Sequence, residues 1–212
     1  MISIEKIKYC KLCFEPIKGM GILDLLMQNP LICEKCQKKF APIFSKFYID
    51  GIKGMSIYDY DQTIREYLFQ LKGAFDVEIA PIFLLPFARF LRFRYRKFIL
   101  VPAPSSGESN LQRGFNHVQE IFSVLRLPII NVFKKTSVVK QVGLTYEQRQ
   151  NIIKHIEIKD ASRLQGKKVL LVDDVMTTGA TLKAMIALLK RAGILKIEIL
   201  VLSSIQQKNE VN

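Results

Sequence analysis

No stretch of the 212 residues reaches the ~20 consecutive apolar positions that a membrane-spanning helix needs. From Met1 to Tyr9 polar and apolar residues alternate, without the apolar core of about 7–15 residues that marks a secretory signal. The expectation is a cytoplasmic protein that does not span a membrane. There is no G-x-x-x-x-G-K-S/T sequence, which sets aside a P-loop nucleotide site, and no internal repeat or low-complexity tract. Acidic residues are few. Nineteen Asp and Glu stand against 32 Lys and Arg, a formal net charge of +13 that favours anionic partners such as nucleic acid, phosphorylated metabolites or an acidic membrane surface. At 49% hydrophobic the chain can bury one good core plus a small appendage.

Cysteine is absent beyond position 36. Cys10 and Cys13 form one C-x2-C pair, Cys33 and Cys36 a second, and none is left over. Four thiolates on two short knuckles can converge tetrahedrally on one Zn2+, and the spacing is that of a zinc ribbon. Two disulfides are the alternative, but a reducing compartment argues against them. Four sulfur ligands leave no open position, so the expected role is structural, with metal binding supplying the folding energy of a segment too short to fold on apolar burial.

Residues 37–51, mixed basic and aromatic, read as a junction, giving a four-cysteine domain and linker over 1–50 and a second domain over 51–212. The pattern predicts a strand over 54–60, a helix capped by Asp61 and running to Leu71, an apolar-then-basic segment over 77–95 kinked at Pro86, and a strand over 97–102. It continues with a helix over 115–127, a short buried strand over 129–133, a central strand over 168–175, a helix over 180–192 and a strand over 194–203. Strands alternating with helices predict an α/β fold with a mostly parallel sheet flanked by helices. In such a sheet ligands bind beyond the carboxyl ends of the strands, where the loops 102–114, 136–151 and 173–181 would meet.

The last of these loops is the most informative. Four apolar residues, Val169–Val172, lead into Asp173 and Asp174, then Val175 and Met176, and then Thr177, Thr178, Gly179, Ala180 and Thr181 at the start of a helix. Adjacent carboxylates can accept hydrogen bonds from a vicinal diol. The N–H groups of a helix N-terminus favour a phosphate. Ribose 5-phosphate carries both groups. An acidic pair that only caps the helix explains one Asp better than two.

This sequence resembles the signature of type I phosphoribosyltransferases, and the whole chain resembles the ComF family of competence proteins. The resemblance rests on the leading four-cysteine element, Val101-Pro102-Ala103-Pro104, Arg113-Gly114-Phe115-Asn116, Gln141 with Arg149, and the signature itself. It implies a type I phosphoribosyltransferase-like domain behind a small zinc ribbon, binding 5-phosphoribosyl-1-pyrophosphate (PRPP) with Mg2+. Asp173 and Asp174 would then meet the ribose hydroxyls, and Thr177, Thr178, Gly179, Ala180 and Thr181 the 5-phosphate. Pro102, Ala103, Pro104, Ser105 and Ser106 would approach the pyrophosphate. Arg113 and Mg2+ would stabilise the leaving group electrostatically as the anomeric carbon gains positive charge. His117 and His155 have acid–base readings, but an isolated His beside a helix is more often a packing or surface residue. The chain departs from the family where basic residues ordinarily follow the second Pro of the V-P-x-P element, since Ser105 to Asn110 carry none. Binding of the donor is therefore implied ahead of its turnover.

The family also implies a part in natural transformation, handling incoming single-stranded DNA beside competence-machinery proteins such as a ComF-type helicase. The alternative is an active phosphoribosyltransferase of nucleotide metabolism with an unidentified acceptor. From Pro86 to Phe98 cations and aromatics interleave, and Arg89, Arg92, Arg94, Arg96 and Lys97, with Lys35, Lys38 and Lys39 on the cysteine-rich element, form a candidate track for a nucleic-acid backbone. Most of the aromatics are expected in the core, because apolar helical stripes usually face inward.

Overall fold

The computed structural model describes residues 8–17, 31–104, 114–135 and 156–205. The chain begins with a two-residue ladder, β1 (Lys8–Tyr9) antiparallel to β2 (Pro16–Ile17), and a single helical turn, α1 (Glu34–Gln37). Strands β3 (Pro42–Ile49) and β4 (Ile52–Asp59) then form a hairpin. Its two-residue turn, Asp50–Gly51, has φ of 48° and 78°, the left-handed geometry whose twist matches paired strands. Gly54 faces Phe47 across the hairpin. A Cβ there would lie 2.2 Å from the Phe47 ring, so the ring lies over bare backbone.

Helix α2 (Gln62–Gly73) starts where the Asp61 carboxylate accepts the Ile64 N–H at 2.8 Å, and it buries Ile64, Leu68 and Leu71 on one face. Two 3-10 segments, Val77–Phe83 and Leu85–Phe87, lead into α3 (Ala88–Tyr95), with the break at Leu84 beside Pro86. Strand β5 (Phe98–Pro102) follows, and then α4 (His117–Ser123), capped by the Asn116 side chain, which accepts from Val118 and Gln119 N–H at 3.1 and 3.2 Å. A small antiparallel ladder pairs β6 (Phe133–Lys135) with β7 (Ile156–Ile158). The chain closes with β8 (Lys168–Met176), α5 (Ala180–Lys190) and β9 (Lys196–Ser204).

The main sheet has the order β3-β4-β9-β8-β5, with β4, β9, β8 and β5 parallel and β3 an antiparallel edge. The central strand β8 is covered on both faces, which its run Val169–Val172, fully buried throughout, requires. Leu170 and Val172 face a core with Leu71, Phe83 and Leu91 from the α2 and α3 side. Val169 and Leu171 face Met185 and Leu189 of α5.

Mixed α/β architecture with a mostly parallel sheet agrees with the expected fold class. Two local expectations change. The segment 37–51 contains β3, drawn into the main sheet by the Asp50–Gly51 turn, and is more than a junction. The buried strand expected over 129–133 reduces to one parallel bridge, Leu100 to Ile129, and pairing resumes only at Phe133 with β7. Pro128 has no N–H to give a ladder, and its carbonyl accepts from Leu100 instead.

Candidate functional site

Strand β8 carries Asp173 and Asp174 to the carboxyl end of the sheet, next to Pro102 at the end of β5, which pairs with Val172. Asp173 stands opposite Val201 of β9. The Asp173 Oδ1 accepts the N–H of Asp174 at 2.9 Å, and the hydroxyl of Ser203 on β9 donates to the Asp174 carbonyl at 3.2 Å, so the adjacent strand braces Asp174.

Asp174 is 7% exposed and has two cationic or potentially cationic neighbours. The ammonium of Lys72, in the last turn of α2, forms an ion pair with its Oδ2, and His117 Nε2 lies 3.6 Å from the same oxygen. His117 is itself buried, and its Nδ1 has no hydrogen-bond partner among the described residues. Burial would raise the Asp174 carboxyl, but His117 and Lys72 outweigh it and hold this acid below the usual carboxylate range. Asp173 goes the other way. Burial first, and then the negative charge of Asp174, pushes its carboxyl well above the ordinary value. The pair thus presents one firmly ionised carboxylate beside one that gives up its proton reluctantly, a combination suited to paired hydroxyls or a shared divalent cation.

Downstream, Thr177 and Thr178 are exposed and Gly179 is buried. Gly179 takes φ 71° as the N-cap of α5 without a side-chain cap, and Ala180 N–H makes a long 3.4 Å contact to Thr178 Oγ1. The first amides of this eleven-residue helix lack intrahelical acceptors, and the helix starts just past the strand end that holds the acids. Pro102, Ala103 and Pro104 are buried beside this end. The two prolines have no N–H, and that of Ala103 donates to the Val172 carbonyl at 2.8 Å. These three residues therefore offer no free N–H to a ligand. Ser105, Ser106 and Arg113 lie outside the described residues, as do Gln141, Arg149 and His155.

Sequence reasoning missed Lys72, which lies just past the helix end expected at Leu71, and read His117 as more often a packing or surface residue than an acid or base. Neither has a local signal, because each reaches Asp174 through the tertiary fold. Among the described residues, the adjoining surface is a cavity of about 860 Å³ lined by Tyr60, Arg65, Leu68, Phe69, Lys72 and Ile205, among others.

The four cysteines do converge. Their sulfur atoms all lie within 4.8 Å of one another, and Cys13 and Cys33 Sγ are 3.6 Å apart. Zn–S bonds of about 2.3 Å place tetrahedral sulfurs roughly 3.8 Å apart, whereas a disulfide requires about 2.05 Å. The donor set fits a closed structural metal site such as zinc. Lys11 N–H donates to the Leu31 carbonyl at 2.9 Å and ties one knuckle to the other. Although burial opposes it, backbone N–H groups of Cys33, Cys13 and Leu12 draw the Cys10 thiol down to about 6. The unit docks on the main core through Phe40, stacked on Tyr67 at 5.4 Å and edge-on to Tyr58 and Phe83.

The basic segment divides. Tyr95 and Phe98 are buried and Phe87 is half-buried, as expected, but Phe90 and Phe93 are 56% and 69% exposed. Arg92 is engaged inside the fold, its Nε donating to the Leu125 carbonyl at 2.8 Å. Arg89, Arg94, Arg96 and Lys97 are exposed, as are Lys35, Lys38 and Lys39, with Lys38 paired to Glu34.

Residues 110–211 match the family described as the phosphoribosyl transferase domain. The chain is 28% identical over 184 residues to Competence protein F of Haemophilus influenzae, covering 79% of this chain and 76% of that protein. It is 25% identical over 143 residues to Competence protein ComFC of Streptococcus pneumoniae, covering 68% of this chain but only 64% of that relative's length. Among solved structures, a hypoxanthine phosphoribosyltransferase from Staphylococcus aureus is similar over 60% of this chain and 64% of that one, with TM-score 0.40 and 19% identity.

Proposed function

We propose that this chain, which resembles the ComF competence proteins and carries a phosphoribosyl transferase domain over residues 110–211, binds PRPP with Mg2+ and serves natural transformation by handling incoming single-stranded DNA. The observation that carries the reading is the placement of Asp173 and Asp174 at the carboxyl end of the central strand, directly before a left-handed Gly179 that opens α5. The acids take the 2′- and 3′-hydroxyls of the ribose, and the N–H groups from Thr177 to Thr181 take the 5-phosphate. Bound magnesium would neutralise the pyrophosphate and polarise its bond to the anomeric carbon. Asp173 and Asp174 supply hard oxygen atoms that suit that ion. Arg113, Ser105 and Ser106 would complete the pyrophosphate side.

The names of the relatives support the competence role, and the net charge of +13 supports an anionic polymer as partner. The four-cysteine unit, expected over residues 1–50, holds structural zinc, and its last part, β3, joins the main sheet of the 51–212 unit. No helix among the described residues is long and apolar enough to cross a membrane, and we place the protein in the cytoplasm, beside competence-machinery proteins such as a ComF-type helicase. A second reading, transfer of the phosphoribosyl group to an acceptor in nucleotide metabolism, draws on the cavity of about 860 Å³ beside Lys72, whose exposed Phe69 and half-buried Tyr60 could flank a flat ring.

Calorimetry with PRPP and Mg2+ tests the pocket. The wild type is expected to bind and the Asp173→Ala/Asp174→Ala variant to lose at least tenfold in affinity. Equal affinity rejects the assignment, and release of pyrophosphate on adding nucleobases would favour the second reading.

A further inference from the structure

At the end of the sheet opposite the acidic pair lies a surface of a different character. Strands β5 and β8 start at Phe98 and Lys168, which pair in register, and Lys168 is six residues before Asp174, or about 20 Å at the usual strand rise. Here two adjoining cavities, about 500 and 480 Å³, share Phe90 and Arg94 and so form one groove running from the β3–β4 hairpin around helix α3. Its lining residues include six cations and no carboxylate.

The aromatics are held in place before any ligand arrives. Phe87 packs edge-on against Phe44 at 5.1 Å, and Phe44 against Phe90 at 6.4 Å, so Phe90 stands upright although more than half exposed. One face of Phe93 is covered by the Arg96 guanidinium at 4.8 Å. On the hairpin, Lys46 pairs with Met55 and Lys53 with the exposed Tyr48, and the strand pleat puts all four on the face turned toward α3. Rigid ring faces interleaved with exposed cations, and no acid among them, match a polymer that alternates flat bases with phosphates.

We infer that this groove is the binding surface for single-stranded nucleic acid, with bases stacking on Phe90 and Phe93 and phosphates running along Lys46, Lys53, Arg94, Arg96, Lys97 and Lys168. The inference rests on the reading of the protein as a handler of single-stranded DNA and adds where the strand lies, on the edge of the sheet remote from the sugar-phosphate pocket. Arg92 is outside it, since its guanidinium holds the end of α4. The separation has a functional consequence: polymer and donor occupy different ends of the sheet and can be held at the same time.

Fluorescence anisotropy with a labelled oligothymidylate across a salt series tests this. Phe90→Ala/Phe93→Ala is expected to weaken binding roughly tenfold or more with an unchanged salt slope, because stacking carries no counterion release. Arg96→Gln/Lys97→Gln is expected to reduce the slope of log K against log salt by about 1.4, two single-strand phosphate contacts. All four substituted positions are exposed, so melting temperature and PRPP affinity should hold in both variants. If the wild type binds the oligonucleotide and neither variant changes it, while Lys35→Gln/Lys39→Gln does, the groove is the wrong surface and the DNA reading survives. If the wild type does not bind, both fall. Equal affinity for duplex DNA, or for anionic lipid vesicles with the same sensitivity to Arg96 and Lys97, overturns the assignment to a single strand.

Discussion

The ammonium of Lys72 sits on Oδ2 of Asp174, joining the last turn of a helix to the end of the central strand across 102 residues of sequence. On the proposed reading it holds the position that a divalent cation or a ribose hydroxyl would take on that carboxylate, so ligand binding would exchange one partner of Asp174 for another. Lys72→Met therefore separates two effects. Without ligand the variant leaves a buried carboxylate with one partner fewer, which costs about 1–2 kcal/mol and lowers the melting midpoint by roughly 3–6 °C. With Mg2+ or Mn2+ alone it should bind the ion more tightly than the wild type, because no internal cation competes. Differential scanning fluorimetry in chelator and in each metal reads both. A variant whose midpoint does not respond to the ion more strongly than the wild type removes Lys72 from this role.

The two aspartates should respond oppositely to amidation. The Asp173 carboxyl is raised above the ordinary 3.8, so between that value and its folded value the native chain keeps a proton that the unfolded chain has lost, and stability falls as pH rises through the window. Asp173→Asn ends that loss and should stabilise the unliganded protein by roughly 1 kcal/mol at neutral pH, an advantage that shrinks on acidification. Asp174 is depressed, so its contribution is present above 3.8 and lost as pH falls below it. Asp174→Asn should destabilise at neutral pH. Both should weaken PRPP binding if the proposed pocket is right. Urea denaturation of the two variants at several pH values checks the signs, and a shared sign contradicts the account.

Elemental analysis should find about one zinc per chain. Because Phe40 packs from the cysteine-rich unit onto Tyr58, Tyr67 and Phe83 of the main core, loss of metal should also loosen the larger domain. Cys36→Ser, which removes a buried ligand, is expected to lower the melting transition as a whole, while a chelator titration of the wild type reproduces the drop. A transition unmoved by either treatment shows the two units to be energetically independent.

The parts of this molecule that were legible in its sequence are those set by local rules. Val169–Val172 announced a strand buried on both faces, Asp61 announced a helix start, and two C-x2-C pairs announced a converging thiolate cluster. What was not legible depended on distant segments meeting. Lys72 and His117 reach Asp174 only because α2 and α4 pack over the carboxyl end of β8, and no spacing between them records it. The exposure of Phe90 and Phe93 was hidden for a related reason. Helix α3 is short and turns one face inward, so only Ala88, Leu91 and Tyr95 of its residues find the core. The Asp50–Gly51 turn was a local signal that went unread, and with it the edge strand β3.

Gly179 connects the acids to the amide turn, and two matched substitutions isolate its contribution. Its φ of 71° is left-handed, and a Cβ there would approach Ile49 Cδ1 to 3.0 Å. Gly193, past the end of α5, has a similar φ of 64°, but an added Cβ would meet only Gln165 Cγ at an ordinary 3.8 Å. Gly179→Ala and Gly193→Ala should each cost about 1–2 kcal/mol for the left-handed backbone. Only Gly179→Ala should also turn the amides of Thr178 to Thr181 away from the acids and weaken PRPP binding, by roughly tenfold, the loss of one charge-assisted hydrogen bond. Calorimetry on the pair, with stability measured alongside, distinguishes the outcomes. Equal PRPP affinity in the two alanine variants would mean that the turn does not hold the phosphate.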